Sequence, residues 1–448
     1  MERNRKLLNE FDWVILAIYG TLLLFGCLSV YAASFREVEA SSFSQVLDVN
    51  TSFGKQMMWV AVCIVMVTFI LLVDSKFFTS LAYLSYIVSI ILLVAVLLVG
   101  KEIHGNKSWF GIGSFGIQPA EFAKFCTALA LAKFLSNQSI DLKNMKNMLT
   151  AFAIIGLPAA LVLLQPDLGS MLVFCSFVIV LYREGLNPLY VIIPLLLLLF
   201  SVIALKFGAL VLSIIALISL SLLIYFNLKK SLKTIIFIAF VHCFVIGYGY
   251  SVDFIYHKVM KDYQRARIDY TLRISTKQAI NKPVIKEDVV QKIVPGEKKH
   301  RKFDDWNIRQ SIIAIGSGGI LGKGFLKGTQ TKFEFVPEQT TDFIFCTIGE
   351  EEGFWGTTLV VSLYIGLLLR LVWMADRQRS KFSRIYGYSV AFILFFHFLI
   401  NVGMTIGLVP VIGIPLPFIS YGGSSLLAFT FLLMIMVKLD ADRLHVLR

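Results

Sequence analysis

The segment from Phe78 to Gly100 has the sequence FTSLAYLSYIVSIILLVAVLLVG and contains no charged residue. A helix needs roughly 20 consecutive apolar residues to cross the hydrocarbon core of a membrane, and this segment reaches that length. Similar apolar runs recur along the whole chain. Twelve membrane segments are predicted, near residues 11–33, 56–73, 78–100, 118–135, 149–165, 168–183, 187–205, 208–227, 233–251, 354–375, 385–406 and 422–439.

The composition agrees with a membrane protein. Of the 448 residues, 57% are hydrophobic and 16% are charged, whereas soluble domains are about half apolar and about a quarter charged. Only helices and closed barrels cross a bilayer, because every backbone polar group needs a partner in lipid. Apolar segments of this length predict an all-α polytopic membrane protein with a helical bundle of about 12 transmembrane helices.

The net charge of +13 follows the predicted topology. Nineteen Lys and Arg residues fall on the short loops of one side of the membrane. Only five fall on the short loops of the other side: Arg36, Lys55, Lys101, Lys107 and Lys206. The positive-inside rule therefore predicts that both termini are cytoplasmic. This distribution explains the positive charge by membrane topology and argues against binding of nucleic acid.

Two irregular stretches are predicted on the outer side. Residues 252–353 form a long extracytoplasmic loop with seventeen Lys and Arg residues between Lys258 and Lys332. This loop either contacts anionic lipid headgroups or handles an anionic, lipid-linked substrate. The second stretch, GLVPVIGIPLPFISYGGSS (407–425), has no charge and three prolines. It cannot form a straight helix, and such backbone near a membrane is stable only inside protein or beside a wet cavity.

Asp342 is the first candidate for chemistry. It lies in PEQTTDFIFCTIGEEEGFWG (337–356), between polar turn residues and the aromatic residues Phe343 and Phe345. One interpretation is structural: Asp342 only satisfies backbone donors at a helix start, where Thr340 or Thr341 could also act as a cap. The alternative is that apolar neighbours desolvate the carboxylate and raise its pKa, which suits a general base.

Two further motifs place polar residues at membrane segments. IQPAEFAKF (117–125) puts Glu121 and Lys124 three residues apart on one helical face of an apolar segment. Ionisable residues there are costly and usually face a cavity or each other, so this pair is structural, functional or both. In QPDLG (165–169), Asp167 is either a turn residue or part of the site.

Other polar clusters are less informative. GSGGILGKG (316–324) lacks the strand and the Lys-Ser/Thr ending of a nucleotide-binding loop, so its glycines are expected to let the backbone lie flat against helices. Lys323 could still meet a phosphate. Glu350, Glu351 and Glu352 could simply occupy the first turn of the next membrane helix, without a role in a site. This is the interpretation we prefer for Glu352. The six histidines have no zinc spacing, and His242 and His397 are expected to be satisfied core groups.

Together these motifs resemble one family. IQPAEFAKF, LLQPDLGS, QSIIAIGSGGILGKGFLKGTQ, FVPEQTTDFIFCTIGEEEGFWG and GIPLPFISYGGSS occur in the order found in SEDS proteins, the family of RodA, FtsW and SpoVE. The resemblance extends from about residue 10 to the C-terminus. The GTQ of Gly328–Gln330 is more similar to RodA, which acts in cell elongation, than to FtsW, which acts in division.

The resemblance implies a peptidoglycan glycosyltransferase that polymerises lipid II during cell elongation and cell-shape maintenance. It implies Asp342 as the catalytic residue and Glu121 and Lys124 as family site residues. The expected partners are a class B penicillin-binding protein and other elongation-complex membrane proteins, with no nucleic acid. The expected location is the bacterial cytoplasmic (inner) membrane. The full set of predicted substrate-binding residues is Glu121, Lys124, Lys323, Gln165, Asp167, Glu350 and Ser420, with no metal-binding residue.

The chain departs from the family in its helix count. Family members usually have ten membrane helices, so we predict one inserted helical hairpin at 187–227 within a single SEDS domain spanning residues 1–448. Residues 227–230 (NLKK) are predicted to form a cytoplasmic turn. The loop before Trp306 is also lengthened. The extracytoplasmic loop 252–353 still contains the catalytic motif, because an added hairpin preserves the side on which that loop lies.

The expected reaction is inverting glycosyl transfer, in which a base takes the proton of an acceptor hydroxyl and polyprenyl diphosphate leaves. The leaving diphosphate needs positive charge, which Lys124, Lys323 or a divalent cation such as Mg or Mn could supply. Three alternatives remain open: a flippase for lipid-linked precursors, a scaffold that activates the penicillin-binding protein, and the division paralogue FtsW.

Overall fold

The computed structural model describes residues 11–35, 51–103, 106–112, 115–225, 232–260, 265, 268, 299–333 and 335–443. The α-helices in this part of the chain are α1 (Trp13–Ser34), α2 (Ser52–Leu72), α3 (Ser75–Val99), α4 (Pro119–Ser136), α5 (Met145–Leu164), α6 (Leu168–Phe174), α7 (Ser176–Arg183), α8 (Leu189–Phe207), α9 (Ala209–Tyr225), α10 (Leu232–Phe254), α11 (Lys299–Gly318), α12 (Thr329–Lys332), α13 (Ile344–Glu351), α14 (Gly353–Asp376), α15 (Lys381–Thr405) and α16 (Gly423–Ala441). A π-helix, Ile255–Val259, follows α10.

The prediction of an all-helical polytopic membrane protein is confirmed. Within the described residues, nine helices are long and apolar enough to cross a membrane. Two further apolar helices, Leu168–Arg183 and Ala209–Leu222, are shorter. Helix α4 contains three charged residues, Glu121, Lys124 and Lys133. The described part of each of the twelve predicted segments is therefore mainly helical, while twelve crossings stay a prediction.

The described chain forms two compact units. The first comprises the described residues up to Asn187, Arg309–Ile406 and those from Ile412 onward. Its core is built from apolar side chains and includes the fully buried Tyr364 and Tyr386. All the site residues discussed below belong to this unit. The prediction of a single domain from 1 to 448 is not tested by this division.

The second unit comprises Pro188–Ile308 and Gly407–Val411. Polar contacts link its apolar helices: Ser201 Oγ lies 2.8 Å from Tyr248 Oη, and Ser219 Oγ lies 2.9 Å from His242 Nε2. Helices α8 and α9 cover most of the predicted hairpin 187–227 and are separated by Gly208, whose φ is +91°. The predicted NLKK turn lies outside the described residues, and the insertion itself stays a prediction.

A small sheet follows α3 and was not predicted. Strands β1 (Lys101–Ile103), β2 (Asn106–Ile112) and β3 (Phe115–Ile117) are antiparallel in the order β1-β2-β3, with Lys101 opposite Trp109 and Phe110 opposite Ile117. The strands are only three to seven residues long, and glycines lie within and between them. Their sequence therefore looks like that of a polar loop.

Part of the predicted loop 252–353 is helical, so the description of this stretch as irregular was wrong. Helix α10 extends to Phe254, and α11 occupies Lys299–Gly318. The buried positions Ile308, Ser311 and Ala314 recur every three residues, as on one face of a helix. The serine among these positions and the glycines at the end of α11 hid this helical period in the sequence.

The second irregular stretch has the predicted character, with no helix between Thr405 and Gly423. Residues 412–422, here called the connector, are packed inside the first unit. Tyr364 Oη donates a hydrogen bond to Pro417 O. A Cβ on Gly26 of α1 would lie 2.6 Å from Phe418 O. The connector therefore meets the requirement that irregular backbone at membrane depth be enclosed by protein.

Candidate active site

The backbone before and at Asp342 is fixed by three donors. The connector's Tyr421 N donates to Thr340 O at 2.8 Å, and Ser420 Oγ donates to Thr341 O. Asn401 Nδ2 of α15 donates to Asp342 O at 2.8 Å. Three consecutive carbonyl groups are thus held, which leaves little freedom for the backbone that presents the Asp342 side chain.

The same donors also fix the connector. Asn401 Nδ2 donates to Ile414 O at 2.8 Å, and Leu416 N donates to Ser420 Oγ at 2.8 Å. Asn401 is fully buried and Ser420 nearly so. The observed bonds of Ser420 hold the backbone of Thr341 and of the connector, and its predicted contact with substrate stays a prediction. Asn401 was missed, although an asparagine within an apolar helix is itself a signal of an internal polar contact.

The Asp342 carboxylate lies against the connector. Gly413 has a φ of +73°, and a Cβ there would lie 3.1 Å from Asp342 Oδ2. The pKa of Asp342 is raised from 3.8 to about 7, chiefly by burial and then by the negative charges of Glu338 and Asp167. The capping alternative is wrong, because α13 begins at Ile344 with Phe343 as its N-cap and no side-chain cap.

Asp167 is the N-cap of α6, and its predicted part in the substrate site stays a prediction. Its Oδ1 accepts from Ser170 N at 2.9 Å and caps α6, while its Oδ2 accepts from Gln118 Nε2 at 2.8 Å. A Cβ on Gly169 would lie 2.5 Å from the Ile414 side chain, so α6 starts against the connector. Gln165 is buried and donates to Leu93 O at 3.2 Å.

Glu121 and Lys124 form the predicted internal ion pair. Lys124 Nζ lies 2.7 Å from Glu121 Oε1 and 2.8 Å from His397 Nε2, and both members of the pair are almost fully buried. His397 Nδ1 in turn lies 3.3 Å from Pro415 O of the connector. His397 is a satisfied core group, as predicted, but its position between the ion pair and the connector was not predicted.

Lys323 and Glu350 form a separate cluster. Their side chains meet at 2.6 Å, and Glu350 also accepts hydrogen bonds from Thr329 Oγ1, Gln330 N and both the backbone and hydroxyl of Thr331. Burial raises the pKa of Glu350, but the bond from Lys323 and those from residues 330 and 331 outweigh it, so the net shift is downward. This carboxylate anchors residues 329–331, and substrate contact by either residue stays a prediction.

The glycine segment packs as predicted. Lys323 N donates to Glu350 O at 3.0 Å, Gly324 N donates to Glu351 O at 2.9 Å, and Phe354 N donates to Gly319 O at 3.0 Å. A Cβ on Gly318 would lie 2.0 Å from Gly349 O, so only glycine permits this backbone contact. Glu352 is the N-cap of α14 but makes no side-chain cap bond.

A cavity of about 140 Å³ lies beside Thr341. Its other lining residues are Lys55, Trp59, Trp109, Gly116, Tyr421, Gly422 and Gly423. Aromatic walls with a few polar groups are typical of small-molecule sites. Lys55 supplies a positive charge close to the residue that precedes Asp342.

The described residues contain no group of three or more His, Cys, Asp or Glu side chains suited to a metal ion. Mg²⁺ is commonly held by one or two carboxylates together with substrate phosphates. The protein side chains described here therefore do not form a metal site by themselves.

Comparison with known proteins identifies relatives along nearly the whole chain. The family model FTSW_RODA_SPOVE, described as cell cycle protein, matches residues 12–211 and 207–445. The peptidoglycan glycosyltransferase RodA of Treponema pallidum is 31% identical over 429 residues, which cover 93% of this chain and 94% of that protein. The peptidoglycan glycosyltransferase MrdB of Escherichia coli K12 is 30% identical over 419 residues, covering 93% and 90%.

Solved structures share the fold. One, from work on the structural coordination of polymerization and crosslinking by a peptidoglycan synthase complex, matches with a TM-score of 0.62 and 23% identity, covering 97% of this chain and 98% of that one. The rod shape determining protein RodA of Thermus thermophilus matches with a TM-score of 0.58 and 21% identity, covering 97% of each chain.

Proposed function

This chain belongs to the FtsW/RodA/SpoVE family of cell cycle proteins, and from that premise we propose that it is a peptidoglycan glycosyltransferase that polymerises lipid II. The expectation of family membership from the sequence motifs is confirmed. The names of the RodA and MrdB relatives support the elongation branch of the family over the division branch.

The observation that supports this activity most directly is the environment of Asp342. A carboxylate with a pKa of about 7 is poised near physiological pH, where a general base is most effective. Its backbone is held by three donors, so the carboxylate is presented from a fixed position. A side chain that only capped a helix would need none of these features.

The proposed reaction is a direct displacement. Asp342 accepts the proton of the acceptor sugar's 4-hydroxyl as that oxygen attacks the anomeric carbon of the donor. The bond from this carbon to the diphosphate oxygen breaks, and polyprenyl diphosphate leaves with the bonding electrons. Attack opposite the leaving group inverts the configuration at the anomeric carbon.

The leaving diphosphate needs positive charge near it. Lys55 lines the cavity beside Thr341, so we propose that it supplies part of this charge. Lys124 is almost fully buried between Glu121 and His397, which fits a positioning role better than direct contact. A divalent cation stays a proposal that would depend on the substrate's own phosphates.

The chain is a multi-pass membrane protein, and we propose that it resides in the bacterial cytoplasmic membrane with both termini in the cytoplasm. A solved relative takes part in a peptidoglycan synthase complex that coordinates polymerization and crosslinking. By analogy we propose that a class B penicillin-binding protein, with other elongation-complex membrane proteins, is the partner of this chain. The positive-inside charge distribution gives no reason to propose nucleic acid.

The test is polymerisation of labelled lipid II by the purified full-length protein. Asp342→Asn keeps the shape of the side chain but cannot accept a proton, so polymerisation should fall by about 100- to 10,000-fold. The matched control is Asp141→Asn, at an exposed carboxylate, which should polymerise at the parent rate. Near-normal activity of Asp342→Asn would reject the general base. A wild-type protein that moves lipid-linked precursor across vesicles without polymer formation would instead identify a flippase.

A further inference from the structure

A second cavity, of about 250 Å³, lies at the opposite end of the first unit from Asp342. It is lined by Ser75, Lys76, Thr79, Ser80, Lys133, Ser380, Phe382, Ser383 and Leu439. Helix α3 begins at this cavity and ends at Val99, and α15 begins here and runs to the turn in which Asn401 binds Asp342. This cavity is therefore separate from Asp342 and from the cavity beside Thr341.

The charges that line this cavity are of one sign. Lys76 and Lys133 are its charged lining residues, and neither forms an ion pair with any residue that the structure describes. The carboxylates nearby in sequence or contact already have partners. Asp74 accepts from Lys76 N at 3.0 Å and caps α3, and Asp442 lies 3.4 Å from Lys438 Nζ. The lining residues of the cavity thus include two positive charges and no negative one, while the carboxylates of Asp74 and Asp442 lie beside it at the start of α3.

The remaining polar lining consists of hydroxyl groups. Ser75 and Ser383 are more than nine-tenths buried, and within the described chain neither hydroxyl has a hydrogen-bond partner. Ser80 Oγ, by contrast, donates to Phe77 O at 2.9 Å. Both residues line the cavity, so their hydroxyls are available to donate to an acceptor bound there.

Two helix N-termini add to the same field. Ser75 is the first residue of α3, and Ser380 is the N-cap of α15. The N-terminus of a helix has a partial positive charge that favours anions, although here the N–H groups of Ser75, Lys76 and Ser383 already donate to Asp442, Asp74 and Ser380. The volume of about 250 Å³ exceeds the roughly 30 Å³ occupied by one water molecule several times over, which leaves room for a tetrahedral anion.

We propose that this cavity is a binding site for one phosphate group, held by Lys76, Lys133 and the hydroxyls of Ser75 and Ser383. Lysine binds phosphate as a point charge, and serine hydroxyls donate to its oxygens. The phosphate comes either from the headgroup of an anionic membrane lipid or from free phosphate in solution. The lipid source suits the place, since basic pockets between membrane helices bind lipid headgroups.

Thermal unfolding of the purified full-length protein tests this site. The midpoint is measured while detergent micelles are titrated with phosphatidylglycerol, with phosphatidylcholine, or with sodium phosphate at constant ionic strength. We expect phosphatidylglycerol to raise the midpoint more than phosphatidylcholine does. Each lysine contributes about fivefold to the affinity for an anionic lipid. The double variant Lys76→Gln and Lys133→Gln should therefore need an about 25-fold higher concentration of phosphatidylglycerol for the same rise in midpoint.

The matched control replaces Lys143 and Lys146, two exposed lysines outside the cavity, by Gln and should leave the response unchanged. Ser383→Ala removes one hydroxyl without changing charge and should weaken binding by a smaller factor; it serves as the test if the double lysine variant does not fold. An equal response to sodium phosphate assigns the site to free phosphate. An unchanged response in the cavity variants, or no response to either phosphate source, overturns the proposal.

Discussion

Asp342 holds its proton more tightly than an aspartate in water because three features of its surroundings disfavour the charged form. Burial is the largest, followed by the negative charges of Glu338 and Asp167. Glu338 is four residues away in sequence, whereas Asp167 reaches the site through the turn before α6. The pKa of Asp342 therefore depends on the tertiary structure as much as on the residues next to it in sequence.

This electrostatic arrangement predicts a pH dependence. The base works when ionised, so polymerisation should rise with pH through a midpoint near 7. Glu338→Gln and Asp167→Asn each remove a nearby negative charge, which lowers the pKa of Asp342 and should move the rise to lower pH. The shift should be larger for Glu338→Gln, because that charge has the larger effect. The measurement is the rate of lipid II polymerisation between pH 5 and 9.

Asparagine is a good N-cap, so Asp167→Asn should retain the start of α6. The control is Asp141→Asn, which removes an exposed charge and should not shift the profile. Identical midpoints in all four proteins would show that the rate-limiting ionisation belongs to another group.

At the scale of elements, the connector is the part that organises the site. Helix α1 packs on it through Gly26, α6 through Gly169 and α15 through Asn401 and His397. The two glycines allow α1 and α6 to approach the connector closely, and Asn401 donates a hydrogen bond to its backbone. The connector then holds the backbone of residues 340–342 in place.

The ion pair below the connector should be energetically coupled. Glu121→Gln or Lys124→Met alone leaves a buried charge without its partner, which typically costs about 3–5 kcal/mol. The double variant removes both charges and should destabilise the protein less than the sum of the two, with a coupling energy of about 0.5–3 kcal/mol. Equilibrium unfolding of the four proteins measures it.

The exposed residues Asp141 and Lys143 give the control cycle, which should be additive because solvent screens their charges. Additive effects at Glu121 and Lys124 would mean that the two charges do not depend on each other, in spite of their 2.7 Å contact.

The elements that the sequence predicted well are those with a local signal. Long apolar runs mark the helices, prolines mark the connector, and the spacing of Glu121 and Lys124 marks one helical face. The three short strands and α11 were missed, because strand pairing is non-local and glycine and serine blur the period of α11. Asn401 and His397 were not recognised as parts of the site, since their partners are distant in sequence.

At the scale of the whole first unit, the two ends differ in chemistry. One end has Asp342, Asp167 and the aromatic cavity with Lys55. The other has the basic hydroxyl-lined cavity and a buried network in which Asp12 binds Arg370 and Arg377, and Arg377 also binds Asp440. We propose that the first end faces outward, as polymerisation of lipid II on the outer surface requires, and that the basic end faces the cytoplasm, as the positive-inside rule predicts.

This orientation predicts which residues a reagent outside the cell can reach. Lys107 is exposed on β2, the strand that also contributes Trp109 to the cavity beside Thr341, while Lys143 is exposed just before α5 at the other end. In a cysteine-free parent protein, Lys107→Cys should react with a membrane-impermeant maleimide on intact cells. Lys143→Cys should react only after permeabilisation, and both should react equally in detergent. The reverse pattern would place Asp342 in the cytoplasm, where it could not polymerise glycan on the outer surface, and the proposed function would fail with the topology.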